Sequence, residues 1–477
     1  MSDELYFLDA ADHLALGYID FPPLIVWITA AVSTLLGESL MALRLVPMLA
    51  GIGVTLLTVE ICRLAGGRIF AQWLAALASL FAPGLVSVQC MLTMNALDQL
   101  WWLAGFYLLL AYASDARPRL MIALGLVLGF GILTKLSILA LCVAIPVSLL
   151  VWERGALLRR EFWLAVCIAL LVASPFLAWQ VSQGFPFLEF IQAYNSDRPE
   201  AMVLQNPALG LLLTMNPSYA LLWLPGAALA ILSADRGVRI VGTAAWLCLV
   251  LFLLTGVKFY FAVPIFALFI AVGAVFWERV HWPFAAPGFR AGLLLLIISG
   301  AAALPAAAPL LPRDRLSQLA TFLRDSEQGF RSDAPVSLGR YFPHFAEMHG
   351  WPELVSATTR AFETLTDAQR ESAVLVAAYY GQAAALNQLD HDNRLPEAHS
   401  GHMNYHLWNR TLAFDHGVFV GYDRGELAGM FAVVEERGQL HCDLCMTRER
   451  ELRIFFVEQP RMSAEEIRAS IKRFYFF

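Results

Sequence analysis

Asp3 and Glu4 form an acid pair that Asp9, Asp12 and Asp20 follow, and Pro22-Pro23 closes this opening stretch just before an apolar sequence begins. A carboxylate held in a partly desolvated cleft can take a proton from a hydroxyl. Far along the chain, Lys135 and Lys258 each interrupt apolar sequence. An ammonium group so placed can hold a phosphate, or it can simply snorkel to a membrane surface. Tyr260 stands two residues from Lys258 and adds a hydroxyl donor. Asn95 and Asp98 open another apolar run, where they would cap a helix or orient a substrate. Arg44 is expected to pair with one of the opening carboxylates, Asp9, Asp12 or Asp20.

The elements that carry these residues follow from composition. The 477 residues are 58% hydrophobic and 15% charged, with mean hydropathy +0.61. A soluble surface needs more charge than that, so the chain is a polytopic membrane protein. A net charge of -6 and a pI near 5.9 give no basic field and exclude nucleic acid as a partner. Of seven cysteines, Cys62, Cys90, Cys142, Cys167 and Cys248 lie in apolar sequence and behave as small hydrophobes. Cys442 and Cys445 form a C-x-x-C, which reads either as a local disulfide or as half of a zinc site. No metal is assigned, and no cofactor is certain.

A bilayer core takes about 20 apolar residues in a helix, fewer where the helix end is buried in protein. Ten segments are expected to span: 41–62, 70–92, 96–113, 118–134, 136–152, 162–182, 208–232, 238–256, 259–277 and 290–311. Pro22 to Leu36 is too short and reads as interfacial or re-entrant. Lys and Arg accumulate in cytoplasmic loops. Arg63, Arg68, Arg117, Arg119, Arg154, Arg159, Arg160, Arg236, Arg239, Arg279 and Arg290 all fall in alternate loops. The remaining loops, which hold the acid pair and both lysines, are therefore external. In the external loop 183–207, Phe187, Phe190 and Ile191 have the spacing of a helix lying on the bilayer.

After Pro312 charges become common. An amphipathic helix is expected over 314–330, buried strands over Ala373 to Tyr380 and Gly417 to Gly421, a helix over Arg424 to Arg437 and a strand over Arg453 to Val457. The chain thus divides into a membrane part, 1–312, whose first 40 residues form an external acidic loop with interfacial helices, and an external α/β domain, 313–477.

Several motifs occur together in order: Asp3-Glu4-x-Tyr6-Phe7, His13-Leu14, Gly17-Tyr18-x-Asp20, Pro22-Pro23-Leu24, Leu43-Arg44-Leu45, Thr93-Met94-Asn95-Ala96-Leu97-Asp98, Leu133-Thr134-Lys135, Lys258-x-Tyr260 and Ser400-Gly401-His402-Met403-Asn404-Tyr405. In this the chain resembles the GT-C glycosyltransferases, in the branch with protein O-mannosyltransferases and lipid A aminoarabinose transferases. The resemblance implies a helical membrane bundle with an external domain, and one more helix upstream of the acid pair than this chain carries. It implies Asp3 as the base with Glu4 its neighbour, the two lysines and Tyr260 as holders of a polyprenyl phosphate, and Asp98 near acceptor or sugar. His402, Asn404 and Tyr405 then belong either to a sugar contact or to a structural turn.

The implied activity is inverting transfer of a sugar from a polyprenyl-phosphate donor to an envelope acceptor, lipid A, another glycan or protein, on the periplasmic face of the inner membrane. A lipid-borne donor fits the lack of a nucleotide-binding glycine loop in the sequence. The competing readings are a transporter of lipid-linked sugars and an inactive homologue that serves as a scaffold. A transporter would place its ionisable groups at the bilayer midplane, often in repeated halves, and no repeat occurs here.

Overall fold

The opening acids, expected in a loop, lie on a helix, α1 (Ser2–Ala11), followed by α2 (Leu24–Leu36) and α3 (Leu40–Leu64). The structure, a computed structural model, describes residues 1–477 apart from 197–209, 211–213, 281–286, 329–337, 410–412 and 475–477. The side chain of Ser39 accepts from the amide of Ala42 and caps α3. Next come α4 (Ile69–Phe81) and α5 (Pro83–Gln89), bent by 57° where Ala82 leaves helical geometry before Pro83. Thr93 caps α6 (Met94–Ser114).

Helices occupy every range where a span is expected, although much of 208–216 lies outside the described residues. Among the described residues, five are long and apolar enough to cross a membrane by themselves, namely Leu40–Leu64, Arg160–Ser182, Arg236–Thr255, Tyr260–Arg279 and Gly288–Ala307. The bent α4–α5 pair makes six. Pro118–Thr134, Leu136–Trp152 and Pro217–Leu232 are shorter apolar helices. Large apolar side chains such as Leu56, Trp73, Leu171 and Leu254 are exposed on the outer faces of the bundle. That is the surface lipid would cover.

The arginine-bearing ends of the helices meet one another. Arg279 donates to the carbonyl of Ala65 at 3.1 Å, Arg236 to the carbonyl of Trp152 at 2.7 Å, and Arg159 to the hydroxyl of Tyr112 at 3.1 Å. Gly237 lies beside Ala113 and joins the last two groups. One end of the bundle therefore gathers the charges that define the expected cytoplasmic loops.

At the other end stands a five-stranded sheet, ordered β2-β1-β3-β5-β4, with β1 (Val374–Ala377), β2 (Ala398–Ser400), β3 (His416–Val420), β4 (Phe431–His441) and β5 (Glu451–Pro460). β1 pairs in parallel with β2 and β3, whereas β5 pairs antiparallel with β3 and β4. The helix expected over Arg424 to Arg437 ends at Met430, and β4 takes over. Phe431, Val433 and Val434 favour a pleated surface, and pairing with β5 outweighs the local helical preference of Glu435 to Arg437. The strand expected over Ala373 to Tyr380 is shorter, because Tyr380 begins the helix Tyr380–Leu389. The amphipathic helix appears as Arg313–Gln328; a helix also forms in the 183–207 loop, as Pro186–Ser196, but Phe190 is buried in the core cluster of Tyr380 and Tyr405, and Phe187 packs against it, because that apolar surface lies within reach.

The start of the chain and its C-terminal part share one hydrophobic core. Tyr6, Phe7, Tyr18, Phe21 and Ile25 pack in the same buried cluster as Leu375, Tyr380, Tyr405, Val420 and Phe456. Burial of aromatic area on this scale, rather than any one polar contact, fixes α1 to the sheet.

Candidate active site

α1 presents its acid pair in two different ways. Glu4 is fully buried, and Arg44 forks onto it with Nε at 2.8 Å and Nη2 at 2.9 Å. The amide of Leu92 donates to Glu4 at 3.0 Å and the N-terminal amine lies 3.1 Å away. Burial alone would raise the Glu4 carboxyl, but these partners outweigh it and hold the group below the usual carboxylate value. Arg44 therefore pairs with Glu4 rather than with Asp9, Asp12 or Asp20, since one turn of α1 brings Glu4 over the start of α3. The sequence reading missed this because it took the segment for a loop.

Asp3 points the other way. It accepts from the hydroxyl of Tyr380 at 2.7 Å, and Tyr380 stacks on Tyr6 with ring centroids 4.4 Å apart. Asp20 lies close enough for the Asp3 charge to act on it. Burial first, and Asp3 after it, push Asp20 up to about 7. Asn404 fastens this group, donating to Tyr6 at 2.5 Å and to Asp20 at 2.8 Å while its Oδ1 accepts from the amide of Ile19 at 2.8 Å. His402 is fully buried, accepts from the amide of Tyr380 at 3.2 Å and stacks on the Tyr380 ring. Tyr405 donates to Asp9, which also receives Asn387 at 2.9 Å and Gln388 at 3.1 Å. The stretch 402–405 thus meets α1 and the loop behind it.

A second cluster surrounds Lys135. Its ammonium donates to Asn95 at 2.7 Å, stands 3.9 Å from Asp98, and lies 3.6 Å from the ring centre of Phe261 and 5.0 Å from that of Tyr260. Ser137 donates to both oxygens of Asp98, at 2.7 and 2.9 Å. Both members of the pair are buried, so the cation is satisfied before any ligand arrives. Lys258 is half-buried, 6.0 Å from the Tyr260 ring centre, and near enough to act on the charge of Lys135.

His344 lies near enough to both clusters for the Asp3 and Lys258 charges to act on it. The C-terminal part supplies further groups that sequence reasoning did not single out. Glu347 accepts from the hydroxyl of Ser2 at 3.1 Å, and Arg448 lies 3.5 Å from Glu347 and 4.0 Å from the ring centre of Tyr379. No motif flagged them, since an isolated Glu and Arg in a charged domain look like surface residues. Cys442 and Cys445 are joined as a disulfide.

A carboxylate seated on a tyrosine and a buried ammonium group thus stand beside an apolar helical bundle. Residues 20–179 match the family described as dolichyl-phosphate-mannose-protein mannosyltransferase. That stretch includes Asp20, Arg44, Asn95, Asp98 and Lys135. The chain is 27% identical over 183 residues to the lipid A galacturonosyltransferase RgtD of Rhizobium johnstonii. The aligned part is 38% of this chain and 38% of that relative, so well under half of the relative's length is matched. The fold resembles that of ArnT from Cupriavidus metallidurans, with TM-score 0.59 in the apo state and 0.58 with undecaprenyl phosphate bound, at 16% identity in both. Those alignments cover 95% and 94% of this chain and 93% and 92% of ArnT.

Proposed function

We propose that the protein transfers a sugar from a polyprenyl-phosphate donor to an envelope acceptor at the non-cytoplasmic face of the inner membrane, with lipid A as the first acceptor to test. The observation that carries this reading is the seating of the Asp3 carboxylate on the Tyr380 hydroxyl at 2.7 Å, on a fold whose solved relative binds undecaprenyl phosphate. The loop arginines, which gather at the opposite end of the bundle, support this orientation.

In the proposed reaction Asp3 takes the proton of the acceptor hydroxyl as that oxygen forms a bond to the anomeric carbon. The bond from the anomeric carbon to the phosphate oxygen breaks with its electron pair, and Lys258, with Lys135 and Tyr260 behind it, stabilises the added charge on the departing polyprenyl phosphate. Displacement on one face inverts the anomeric centre. Glu4 is a positioning residue in this scheme, because its oxygens are held by Arg44, Leu92 and the N-terminal amine. Asn95 and Asp98 orient Lys135. Asn404 and Tyr405 hold the opening segment, and His402 holds Tyr380 beneath Asp3. The expected division at residues 312 and 313 is proposed as a boundary of composition, since the core itself runs across it.

The test is Asp3→Asn in nanodiscs supplied with polyprenyl-phosphate galacturonate and lipid A, the product being read by mass spectrometry. Loss of about a thousandfold or more in transfer, with the protein still inserted and monodisperse, is the expected result. Transfer at the wild-type rate would sink the reading. Uptake of lipid-linked sugar across vesicles by the Asp3→Asn protein would favour a transporter instead.

A further inference from the structure

The connection between β4 and β5 is closed at its base by the disulfide and by a hydrogen bond in which the amide of Cys442 donates to Arg450 at 2.9 Å. Cys445 is buried, and Leu444 and Met446 pack against the cluster of Phe342 and Phe345. Gly350 makes this seating possible. Its backbone is left-handed at φ +88, and any Cβ there would strike the Cys445 sulfur. The turn so anchored delivers Arg448 into the interior, between Glu347, Glu449 and the ring of Tyr379.

Glu347 is the point where this turn reaches α1. Its carboxylate takes the Ser2 hydroxyl at 3.1 Å, one residue from Asp3, and the indole of Trp351 donates to its carbonyl at 2.7 Å. Tyr379 and Tyr380, with ring centroids 4.3 Å apart, join the arginine on one side to the Asp3 carboxylate on the other. The charged and titratable groups that act on Glu347 come from three places: Asp3 on α1, and Arg448 and Glu449 on the turn, with Tyr379 at the end of β1. Burial and then the Asp3 charge push Glu347 up to about 7, and Arg448 opposes both.

We propose that the Glu347–Arg448 pair, carried on the disulfide-closed turn of the C-terminal sheet, is a positioning element of the transfer reaction that holds the start of α1 so that Asp3 stays seated on Tyr380. This rests on the reading of Asp3 as the base. Arg448 Nε is held by Glu449 at 2.8 Å, which leaves Nη2, with no hydrogen-bond partner among the described residues, turned to Glu347 at 3.5 Å. What it can do is neutralise Glu347, which would otherwise repel Asp3 across the Ser2 contact.

The experiment compares Glu347→Gln, Arg448→Gln, the double variant and Cys442→Ser with Cys445→Ser, in the same nanodisc assay and beside Asp3→Asn. Each single change at Glu347 or Arg448 is expected to lower kcat by about 10- to 100-fold with KM within about twofold, and the double variant to lose no more than the worse single one, as groups acting through one contact do. The cysteine variant, and the wild type treated with reductant, should lose about 3- to 10-fold by loosening the turn. Arg448→Lys should recover part of the kcat lost in Arg448→Gln, and it replaces that variant if Arg448→Gln does not fold. Wild-type kcat in Glu347→Gln and Arg448→Lys, or losses that multiply in the double variant, would overturn the inference. If Asp3→Asn itself retains transfer, the underlying reading has failed instead, and the two failures are told apart by that one control.

Discussion

The two ends of the bundle handle charge in opposite ways. At the arginine end ion pairs such as Arg63–Glu60, at 2.7 Å within one helical turn, and Arg236–Glu153 lie largely open to solvent. At the other end Glu4, Asp98 and Lys135 are buried and paired with residues of other elements, and Glu347 and Arg448 are withdrawn in part from solvent. Exposed pairs between neighbours contribute little to stability and serve to set topology. Buried pairs need a compensating reason, because taking the ions out of water costs more than the pair commonly returns. The contrast identifies the second end as the one where placement of charge matters more than stability.

Substitutions should separate the two ends in proportion to this difference. After Asp3→Asn, the largest effect is expected for Lys258→Ala, which should lower transfer by about a hundredfold or more, as loss of a charge-stabilising donor does, and weaken undecaprenyl phosphate binding measured in nanodiscs. Glu4→Gln comes next. It leaves Arg44 and the N-terminal amine facing a neutral group, and should cost about 3 kcal/mol in a detergent-based unfolding measurement while also reducing transfer through displacement of Asp3.

A smaller and pH-dependent effect is expected for Asp20→Asn. The folded value of Asp20 is raised from 3.8 to about 7, so between those limits the folded state holds a proton that the unfolded state gives up. Wild-type stability relative to Asp20→Asn should therefore fall as pH rises through that window and level off above it, which thermal melts at several pH values would show. The smallest effect belongs to the arginine end. Glu60→Gln should change stability by less than about 0.5 kcal/mol and leave transfer unaltered; a larger loss would erase the distinction between the ends.

Much of the helical part was legible because apolar length and loop charge report directly on solvent, and the helices occupy the expected ranges. The candidate residues were found in two clusters since their types are costly in apolar sequence wherever they fall. What could not be read was partnership. Glu4 and Arg44 are neighbours because α1 is a helix, and that helix depends on aromatic packing against a sheet formed more than 350 residues later. Met430 to Arg437 misled for a related reason: its strand exists because β5 pairs with it. Glu347, Arg448, Tyr379 and Tyr380 carry no local signature, and only tertiary structure brings them to α1.

The core shared by residues 5–26 and the sheet also sets a timetable for biosynthesis. The ribosome makes α1 long before β5, and the surface on which α1 settles is finished only when β5 has emerged. Throughout that interval Tyr6 lacks the rings of Tyr380 and Tyr405 on which it stacks, and in a nascent chain halted before residue 380 Asp3 would lack its tyrosine while Glu4 could already meet Arg44.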